Sequence, residues 1–401
     1  MSGRRHSIVT LWKDYFRHIR PLLGPKPART SLAEMRKARR VTLEKRDNIG
    51  DFVLSTAFLN EAYKRWDDRD VVLVCTSCVE SLARLMYPRW RVQVMTLAEG
   101  AEHFRGSWRE PGALQREVRS WPTADLLVNL RSIRHQNEML ITSWMPAVSK
   151  LAVSNRFSYE EGEYIKISDR RVYSRVLPSA EKASPGLCME LVNFRTLVTG
   201  LFPEADEANV WPALNFGAEA GKHEASAAAK GALAPDCLIL VPFPNGDVRR
   251  YPTEKLVEVA SALACKYELS VAILGGEKDR PEAEAMVRSL VAPKGTRNLA
   301  GMLTLPELVE AIRRSRLVIG VDTGPMHMAI ACGVPTVVVL GGGHYGVFGP
   351  WGNSRRVRWL THPMPCFDCN WVCTQAEPYC IRRVASSAIF EAAEAVIGGC
   401  R

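Results

Sequence analysis

The chain has 401 residues and carries 53 Lys and Arg against 43 Asp and Glu, a net charge of +10. Its apolar fraction of 47% and charged fraction of 24% are ordinary for globular proteins and exclude a disordered, collagen-like or small disulfide-stapled chain. At ~100–200 residues per domain, we expect two or three domains.

No apolar run approaches the ~20 residues of a membrane-spanning helix. Charges interrupt the apolar positions of the N-terminus, so we expect no secretory signal. These features predict a cytoplasmic protein whose 11 cysteines are mostly reduced thiols.

The positive charge is concentrated at the N-terminus. Residues 1–40 hold 11 Lys or Arg and two acids, which accounts for +9 of the +10 and leaves the rest of the chain nearly neutral. Within them, residues 8–23 repeat apolar side chains at helical spacing with basic residues between, which predicts a basic amphipathic helix. Such a helix can lie on an anionic membrane surface, or it can pack its apolar face on the body of the protein or on another subunit. Residues 1–40 are therefore predicted to be a basic extension.

From Arg40 onward, short apolar strands alternate with helices. Strands are predicted at residues 41–46, 71–75, 91–95 and 124–130, and helices at 51–66 and 78–86. Continuous apolar runs such as the second strand are typical of a parallel sheet covered on both faces. The alternation predicts βαβ units and a doubly wound sheet, which we assign to a domain at residues 41–214.

A second α/β series follows residues 215–233, which are rich in alanine and predict a linker or surface helix. Its predicted strands are at 237–243, 270–276, 316–322 and 335–342, and its predicted helices are at 251–267, 280–291, 306–315, 324–332 and 385–397. We assign a domain to residues 234–384, with a Cys-rich loop at 364–382, and a C-terminal helix to 385–401. Two doubly wound domains in tandem place a cleft between the carboxyl ends of their sheets, where ligands bind.

The most informative segment runs from Asp322 to His327, directly after a predicted buried strand. Asp322 or Thr323 can cap the next helix, Gly324 allows a close backbone approach, and Pro325 suits the first helical turn. The free N–H groups and the dipole at this helix end attract an anion such as a diphosphate, to which His327 could also donate. Capping alone would explain the Asp, Thr and Pro, but it gives no reason for Gly and His in the same turn.

Two other strand-to-helix turns carry candidate residues. Gly50 lets a ligand approach the backbone, and Asp51 could act as a general base or could merely complement the helix dipole. In the second half, Asn245, Arg249 and Arg250 share one turn. An arginine there can hold a phosphate through two hydrogen bonds, and a solvated basic turn is the alternative.

A cluster of cysteines lies near the C-terminus. Cys366, Cys369, Cys373 and Cys380 occur within 15 residues. Thiolates at this spacing can bind Zn²⁺ or Fe tetrahedrally, and such a metal would be structural because nothing nearby offers an open coordination position. Local disulfides and free thiols are the alternatives.

Together these segments resemble glycosyltransferase family 9, the ADP-heptose:lipopolysaccharide heptosyltransferases. The similarity covers about residues 41–397. It rests on the segments RDNIGDFVLSTAFL and GVDTGPMHMAIACGVPTVVVLGG, supported by RRYP, LGGEKDR and GPWG. The resemblance implies an α/β protein of the GT-B type, in which two Rossmann-like doubly wound domains face a cleft. It places an activated sugar donor in the C-terminal domain.

The resemblance also implies roles for single residues. Asp51 falls on the family's acceptor-side aspartate and is the candidate base, while Arg249 falls on its phosphate-contacting lysine. Glu277 falls on its acidic nucleotide contact. The donor-binding candidates are Gly50, Asn245, Glu277, Asp322, Thr323, Gly324 and His327. Enzymes of this kind need no cofactor for catalysis, so Fe or Zn is expected only as a structural ion at the four cysteines.

The implied function is inverting transfer of a sugar, a heptose from ADP-heptose, to a lipopolysaccharide or other cell-surface glycan. The cysteine cluster also resembles the metal-binding cysteine finger of autotransporter heptosyltransferases, so a protein acceptor is an alternative, as is a non-catalytic scaffold that retains the fold. Expected partners are a glycan, lipid-linked or protein acceptor, a membrane surface at the inner face of the inner membrane through residues 1–40, and a second copy of the chain in a homo-oligomer. Nucleic acid is not expected, because the basic residues of the body lack interleaved stacking aromatics.

Overall fold

The computed structural model describes residues 23–95, 111–134, 136–154, 169–180, 183, 186–216 and 236–398. The amphipathic helix predicted for residues 8–23 and the linker predicted for 215–233 lie almost entirely outside these ranges. In the part of the chain that is described, no helix is long and apolar enough to cross a membrane.

The N-terminal half contains a six-stranded sheet in the spatial order β3-β2-β1-β4-β5-β6, with every pair of neighbours parallel. Its strands are β1 (Arg40–Lys45), β2 (Asp70–Cys75), β3 (Arg91–Val94), β4 (Ala124–Asn129), β5 (Ala147–Val153) and β6 (Arg175–Leu177). The described α-helices of this half are α1 (Leu32–Met35), α2 (Ile49–Arg65), α3 (Glu80–Met86), α4 (Pro111–Arg119), α5 (Gln136–Trp144), α6 (Asp169–Val172) and α7 (Met189–Leu201).

The C-terminal half repeats this architecture, with a parallel sheet in the order β12-β11-β10-β7-β8-β9. Its strands are β7 (Cys237–Val241), β8 (Ser270–Ile273), β9 (Thr296–Asn298), β10 (Leu317–Val321), β11 (Thr336–Val339) and β12 (Val357–Leu360). The described α-helices are α8 (Thr253–Tyr267), α9 (Arg280–Ser289), α10 (Leu305–Arg314), α11 (Gly324–Ala331), α12 (Tyr379–Arg382) and α13 (Ser386–Gly398).

Both sheets have the strand order of a doubly wound fold. In each, the order reverses beside the first strand of the half, between β1 and β4 and between β7 and β10. Ligands of such sheets bind outside the carboxyl ends of the strands at this switch point. The prediction of an α/β protein with two doubly wound sheets is confirmed, and the two switch points mark where a ligand site is expected.

The central strands of the second half are buried along their whole length. Every residue of β7, β10 and β11 is buried, as expected for strands covered by helices on both faces. In β10, a Cβ added to Gly320 would lie 2.3 Å from the carbonyl oxygen of Val241, so a side chain at this position would push β10 away from β7. The glycine therefore fixes the spacing of the two strands at the switch point.

Part of the predicted N-terminal extension packs against the first domain. The side chains of Leu23, Met35 and Ala38 are buried, and Met35 and Ala38 join a hydrophobic cluster with residues of both halves. The backbone N–H of Gly24 donates to the hydroxyl of Ser143 at 3.1 Å. Leu23, Met35 and Ala38, which the sequence assigned to the extension, thus pack in the folded part of the chain.

The N-termini of α2 and α11 meet across the two halves. A Cβ added to Gly324 would lie 2.9 Å from the Cβ of Ile49, and one added to Gly50 would lie 3.1 Å from the ring of His327. Both positions are tighter than side chains normally tolerate. The two glycines therefore allow the ends of these helices to approach closely, and this contact brings the candidate residues of both halves into one cleft.

Candidate active site

The candidate site is a cleft of about 740 Å³ between the two sheets. Its walls come from the segments that follow β1 and β4 in the first half and β7 and β10 in the second, which are the strands at the two switch points. The sequence-predicted residues that line it are Gly50, Asp51, Asn245, Arg249, Asp322, Thr323, Gly324 and His327. Eight of the nine predicted catalytic and donor-binding residues thus share one cavity.

A chain of ion pairs lies on the side of the cleft that the N-terminal half contributes. The ammonium of Lys45 donates to Asp47 at 2.8 Å, and Arg131 pairs with the other oxygen of Asp47 at 3.0 Å and with Glu138. Burial would raise the pKa of Asp47, but the charges of Arg131 and Lys45 outweigh it and hold that pKa below its ordinary value. Asp47 is therefore a fixed negative charge beside the candidate base.

Asp51 lies in the first turn of α2, after the N-cap residue Asn48, whose side chain makes no capping hydrogen bond. Burial and the negative charge of Asp47 raise the pKa of Asp51 to about 6, against the opposing charges of Lys45 and Arg131. A carboxylate with a pKa close to neutrality is ionised at pH 7 yet basic enough to accept a proton from a hydroxyl group. The electrostatics therefore suit Asp51 to general base catalysis better than to a purely dipole-complementing role.

Glu190 is an acidic residue of the cleft that the sequence analysis did not single out. Its side chain is 4% exposed, and the hydroxyl of Ser132 donates to its carboxylate from a position 58 residues earlier in the chain. Burial, with the negative charges of Asp51 and Asp47, raises the pKa of Glu190 to about 7 despite Lys45. Because its partner is distant in sequence, no local pattern distinguishes Glu190 from the acidic residues of helix first turns.

The C-terminal wall is organised around Asp322 and His327. The indole N–H of Trp351 donates to Nδ1 of His327 at 3.0 Å, so the proton of the neutral imidazole lies on Nε2, which donates to Asp322 at 3.2 Å. Burial would raise the pKa of Asp322, but this hydrogen bond and the positive charge of Arg249 hold it below its ordinary value. In this arrangement both nitrogens of His327 are used within the protein, and the ring orients Asp322.

The N-terminus of α11 opens into the cleft. Thr323 is the N-cap residue by position, but its hydroxyl donates to the carbonyl of Val321 at 3.1 Å instead of capping the helix. The expectation that Asp322 or Thr323 caps α11 with its side chain is therefore wrong, since the helix has no side-chain cap. The uncapped helix end at Gly324 keeps its dipole and N–H groups directed at the cleft, as an anion site requires.

The two neighbouring arginines of the β7–α8 turn have different environments. Arg249 lines the cleft, and burial lowers its pKa although Asp322 and Asp51 oppose the shift. Arg250 instead points to α9, where one guanidinium nitrogen donates to both carboxylate oxygens of Glu282 at 2.6 and 2.7 Å. Of these two arginines, Arg249 is the one placed to contact a ligand in the cleft.

The predicted nucleotide contact at Glu277 does not line the cleft. Glu277 is exposed in a short 3₁₀ turn after β8, and the residues that line the cavity do not include it. Asn245, which follows β7, does line the cleft and is also exposed. Among the acidic candidates of the described chain, Asp51 and Asp322 are thus brought together and Glu277 remains outside.

The four cysteines of the Cys-rich loop are close together. Cys366, Cys369, Cys373 and Cys380 line one small cavity of about 10 Å³, and all are free thiols. Within the described residues, however, no group of three or more His, Cys, Asp or Glu side chains is arranged so that it could hold a metal ion. The predicted structural Fe or Zn site is therefore not supported.

Comparison with protein-family models matches residues 194–375 to Glycosyltransferase family 9 (heptosyltransferase). The resemblance to this family is confirmed. Among curated proteins, Lipopolysaccharide heptosyltransferase 3 of Escherichia coli is 38% identical over 61 residues, which is 15% of this chain and only 18% of the length of that relative.

Solved structures match almost the whole fold at low sequence identity. A glycosyl transferase family 9 protein from Veillonella parvula has a TM-score of 0.64 at 16% identity, covering 90% of this chain and 97% of its own. The E. coli heptosyltransferase WaaC, solved with ADP, has a TM-score of 0.63 at 13% identity, covering 88% and 98%. TibC, an iron-containing dodecameric glycosyltransferase from enterotoxigenic E. coli, has a TM-score of 0.50 at 11% identity, covering 94% and 78%. These likenesses confirm the expected GT-B arrangement.

Proposed function

We propose that the chain is an inverting glycosyltransferase that transfers a heptose from ADP-heptose to a lipopolysaccharide or other cell-surface glycan. The observation that carries the proposal is the pairing of a base of near-neutral pKa, Asp51, with an anion site at Arg249 and Gly324 in one cleft. The family match, the lipopolysaccharide heptosyltransferase relative and the ADP bound by WaaC support a nucleotide-sugar donor.

In the proposed mechanism, the acceptor hydroxyl attacks the anomeric carbon of the sugar in a single displacement. Asp51 takes the proton of that hydroxyl as the new glycosidic bond forms. The bond from the anomeric carbon to the donor diphosphate breaks on the opposite face, which inverts the anomeric configuration. Negative charge then builds on the leaving ADP, where Arg249 and the N-terminus of α11 would stabilise it.

The neighbouring charged residues shift the pKa of each acidic side chain in the cleft differently. Asp47 stays ionised and raises the pKa of Asp51, while Asp322 stays ionised beside Arg249. Asp322 cannot itself stabilise an anionic leaving group, so we assign it to holding His327 and to balancing the charge of Arg249. A bound donor diphosphate would then share with Asp322 the neutralisation of the positive charge of Arg249.

The test is release of nucleotide from a panel of ADP-, UDP- and GDP-sugars with glycan acceptors. We expect ADP release from ADP-heptose, and Asp51→Asn should lower kcat by about a hundredfold or more while ADP still binds. The matched control is Asp67→Asn, an exposed residue just after α2, which should leave turnover unchanged. A wild-type chain that bound ADP-heptose but released no nucleotide with any acceptor would instead indicate a non-catalytic scaffold.

The acceptor class needs a separate arm of the same assay. Truncated lipopolysaccharide cores and a β-helical autotransporter passenger domain should be offered in parallel. Transfer to the glycan supports the proposed function, while transfer only to the protein would favour the alternative of protein heptosylation.

A further inference from the structure

The Cys-rich loop reaches back to the candidate site. Three residues of this loop that are not glycine have left-handed backbone, with φ of 68° at Asp368, 48° at Asn370 and 62° at Trp371. Such conformations cost free energy and persist only where the surrounding structure enforces them. The loop is therefore held in one specific shape by its contacts.

The enforcing contacts come from the glycine turn after β11. The backbone N–H groups of Asp368 and Asn370 donate to the carbonyls of Gly342 and Gly343 at 2.8 and 3.1 Å. A Cβ added to Gly343 would lie 2.4 Å from the ring of Trp371. Because Gly343 has no side chain, the Trp371 ring can pack directly against this turn.

The polar edge of Trp371 is fixed by a two-step relay. Its indole N–H donates to Nδ1 of His344 at 3.3 Å, and the Nε2 of His344 lies 2.7 Å from Oδ1 of Asn370. Because Nδ1 accepts, the neutral ring carries its proton on Nε2 and donates it to Asn370. Burial lowers the pKa of His344 and favours this neutral form. The relay therefore sets the angle of the indole plane.

The face of that indole lies against the candidate phosphate-binding arginine. The guanidinium carbon of Arg249 is 4.6 Å from the centre of the Trp371 ring. In the described part of the chain the Arg249 side chain makes no ion pair within 4 Å, although its charge acts on Asp322 and Asp51. The aromatic contact orients the guanidinium without using any of its N–H donors, which remain available for a ligand in the cleft.

We propose that Trp371 is a positioning residue, whose indole face, locked by His344 and Asn370, holds the guanidinium of Arg249 toward the diphosphate of a nucleotide-sugar donor. The inference rests on the proposed function for the identity of the ligand. It gives the Cys-rich loop a role in the donor site that is independent of any metal.

The first experiment measures ADP affinity by titration calorimetry in the full-length chain. Trp371→Leu should weaken ADP binding about tenfold, the order expected for a partly buried cation–aromatic contact, and Trp371→Phe should weaken it less because a ring face remains. The matched control is Trp211→Phe, since Trp211 also lies under an arginine, Arg195, at 4.8 Å but outside the cleft. ADP affinity that is equal in wild type and Trp371→Leu would overturn the inference.

A double-mutant cycle separates positioning from general stability. In an Arg249→Lys background, which lacks the planar guanidinium, Trp371→Leu should cause no further loss of ADP affinity. An undiminished loss in that background would mean that Trp371 acts through the loop as a whole, and the proposal would fail.

A third measurement does not depend on the function. The ring current of an indole shifts the NMR signals of a guanidinium above its face, so the side-chain Nε–H signal of Arg249 should move on Trp371→Leu and stay on Trp211→Phe. If wild type bound no ADP, the proposed function would be contradicted, and this signal alone would decide whether the loop holds Arg249.

Discussion

The catalytic potential of the cleft depends on one acidic side chain with an unusual environment. Asp51 would be an ordinary helix-first-turn acid if it were solvated, and its charge would simply complement the dipole of α2. Burial and the fixed charge of Asp47 change this by raising the pKa of Asp51 to about 6. The same environment that makes the carboxylate a better base also disfavours its ionised form in the folded protein.

Asp51→Asn is therefore expected to stabilise the protein at neutral pH while it lowers kcat by about a hundredfold or more. In wild type the folded-state pKa of about 6 exceeds the ordinary aspartate value of 3.8, so this carboxyl lowers stability progressively as the pH rises through that interval. Asparagine does not ionise and removes the penalty. Thermal unfolding should show a Tm a few degrees higher for Asp51→Asn at pH 7.5.

The pH dependence of this difference provides the control. Near pH ~3, below both 3.8 and about 6, the wild-type carboxyl is mostly neutral in the folded and in the unfolded state, so the two Tm values should converge. A constant difference at all pH values would show that the substitution acts by packing, and a lower Tm for Asp51→Asn at pH 7.5 would contradict the raised pKa.

At the scale of elements, the site is built where two helix N-termini meet. Gly50 opens the cleft at α2 and Gly324 opens it at α11, and a Cβ at either position would touch the opposite half. The approach brings two positive helix dipole ends together, which is unfavourable unless negative charge lies between them. Asp51 and Asp322 supply that charge in the protein itself, and a diphosphate would add to it.

Gly324→Ala should separate the two helix ends and weaken ADP binding by about tenfold, because its Cβ would lie 2.9 Å from that of Ile49. Ile49→Gly removes the opposing atoms, so the double variant should recover most of the lost affinity. Titration calorimetry checks both. Gly398→Ala at the end of α13, where an added Cβ meets nothing within 4 Å, is the matched control. Failure of Ile49→Gly to restore binding would mean that Gly324 serves only the direct approach of a ligand.

The sequence predicted the central strands and their following turns because each is a contiguous apolar run joined to a contiguous polar turn. It did not predict β5, where Lys150 interrupts the apolar pattern. The ammonium of Lys150 is buried and donates to the carbonyls of Thr142 and Ser143 at 2.8 and 3.1 Å. The sequence also did not reveal Glu190 and Trp371, because the residues with which their side chains form hydrogen bonds lie far away in the chain. Local patterns located the elements and the main turns, while tertiary contacts decided which further side chains reach the cleft.

At the scale of the whole molecule, the basic N-terminus divides into two parts. Between residues 23 and 40, Arg36 donates to the carbonyl of Gly200, and Arg40 pairs with Asp125 at 3.1 Å, so part of the positive charge is used within the body. Lys26 and Arg29 remain exposed and line a surface groove of about 650 Å³ with Arg170 and Arg175. A docking role for the extension therefore concerns residues 1–22 and this groove.

Two deletions should separate docking from folding. Removing residues 1–22 should weaken binding to vesicles that contain anionic lipid, because it removes five basic residues and the predicted amphipathic helix. Removing residues 1–38 should also lower the Tm by several degrees, since it deletes the buried side chains of Leu23, Met35 and Ala38. Vesicle co-sedimentation and thermal unfolding measure the two effects.

The comparison of the two deletions distinguishes membrane binding by residues 1–22 from the packing of residues 23–38 on the first domain. Vesicles of neutral lipid alone and a titration with salt are the controls, because an electrostatic contribution to binding requires anionic lipid and weakens as ionic strength rises. If residues 1–22 bind membranes, their deletion reduces vesicle binding at unchanged Tm and unchanged ADP affinity, since it keeps the buried residues Leu23, Met35 and Ala38 and every residue that lines the candidate cleft. Vesicle binding that survives this deletion intact would contradict the membrane role. Equal Tm values for the two deletions would contradict the packing of residues 23–38 on the first domain.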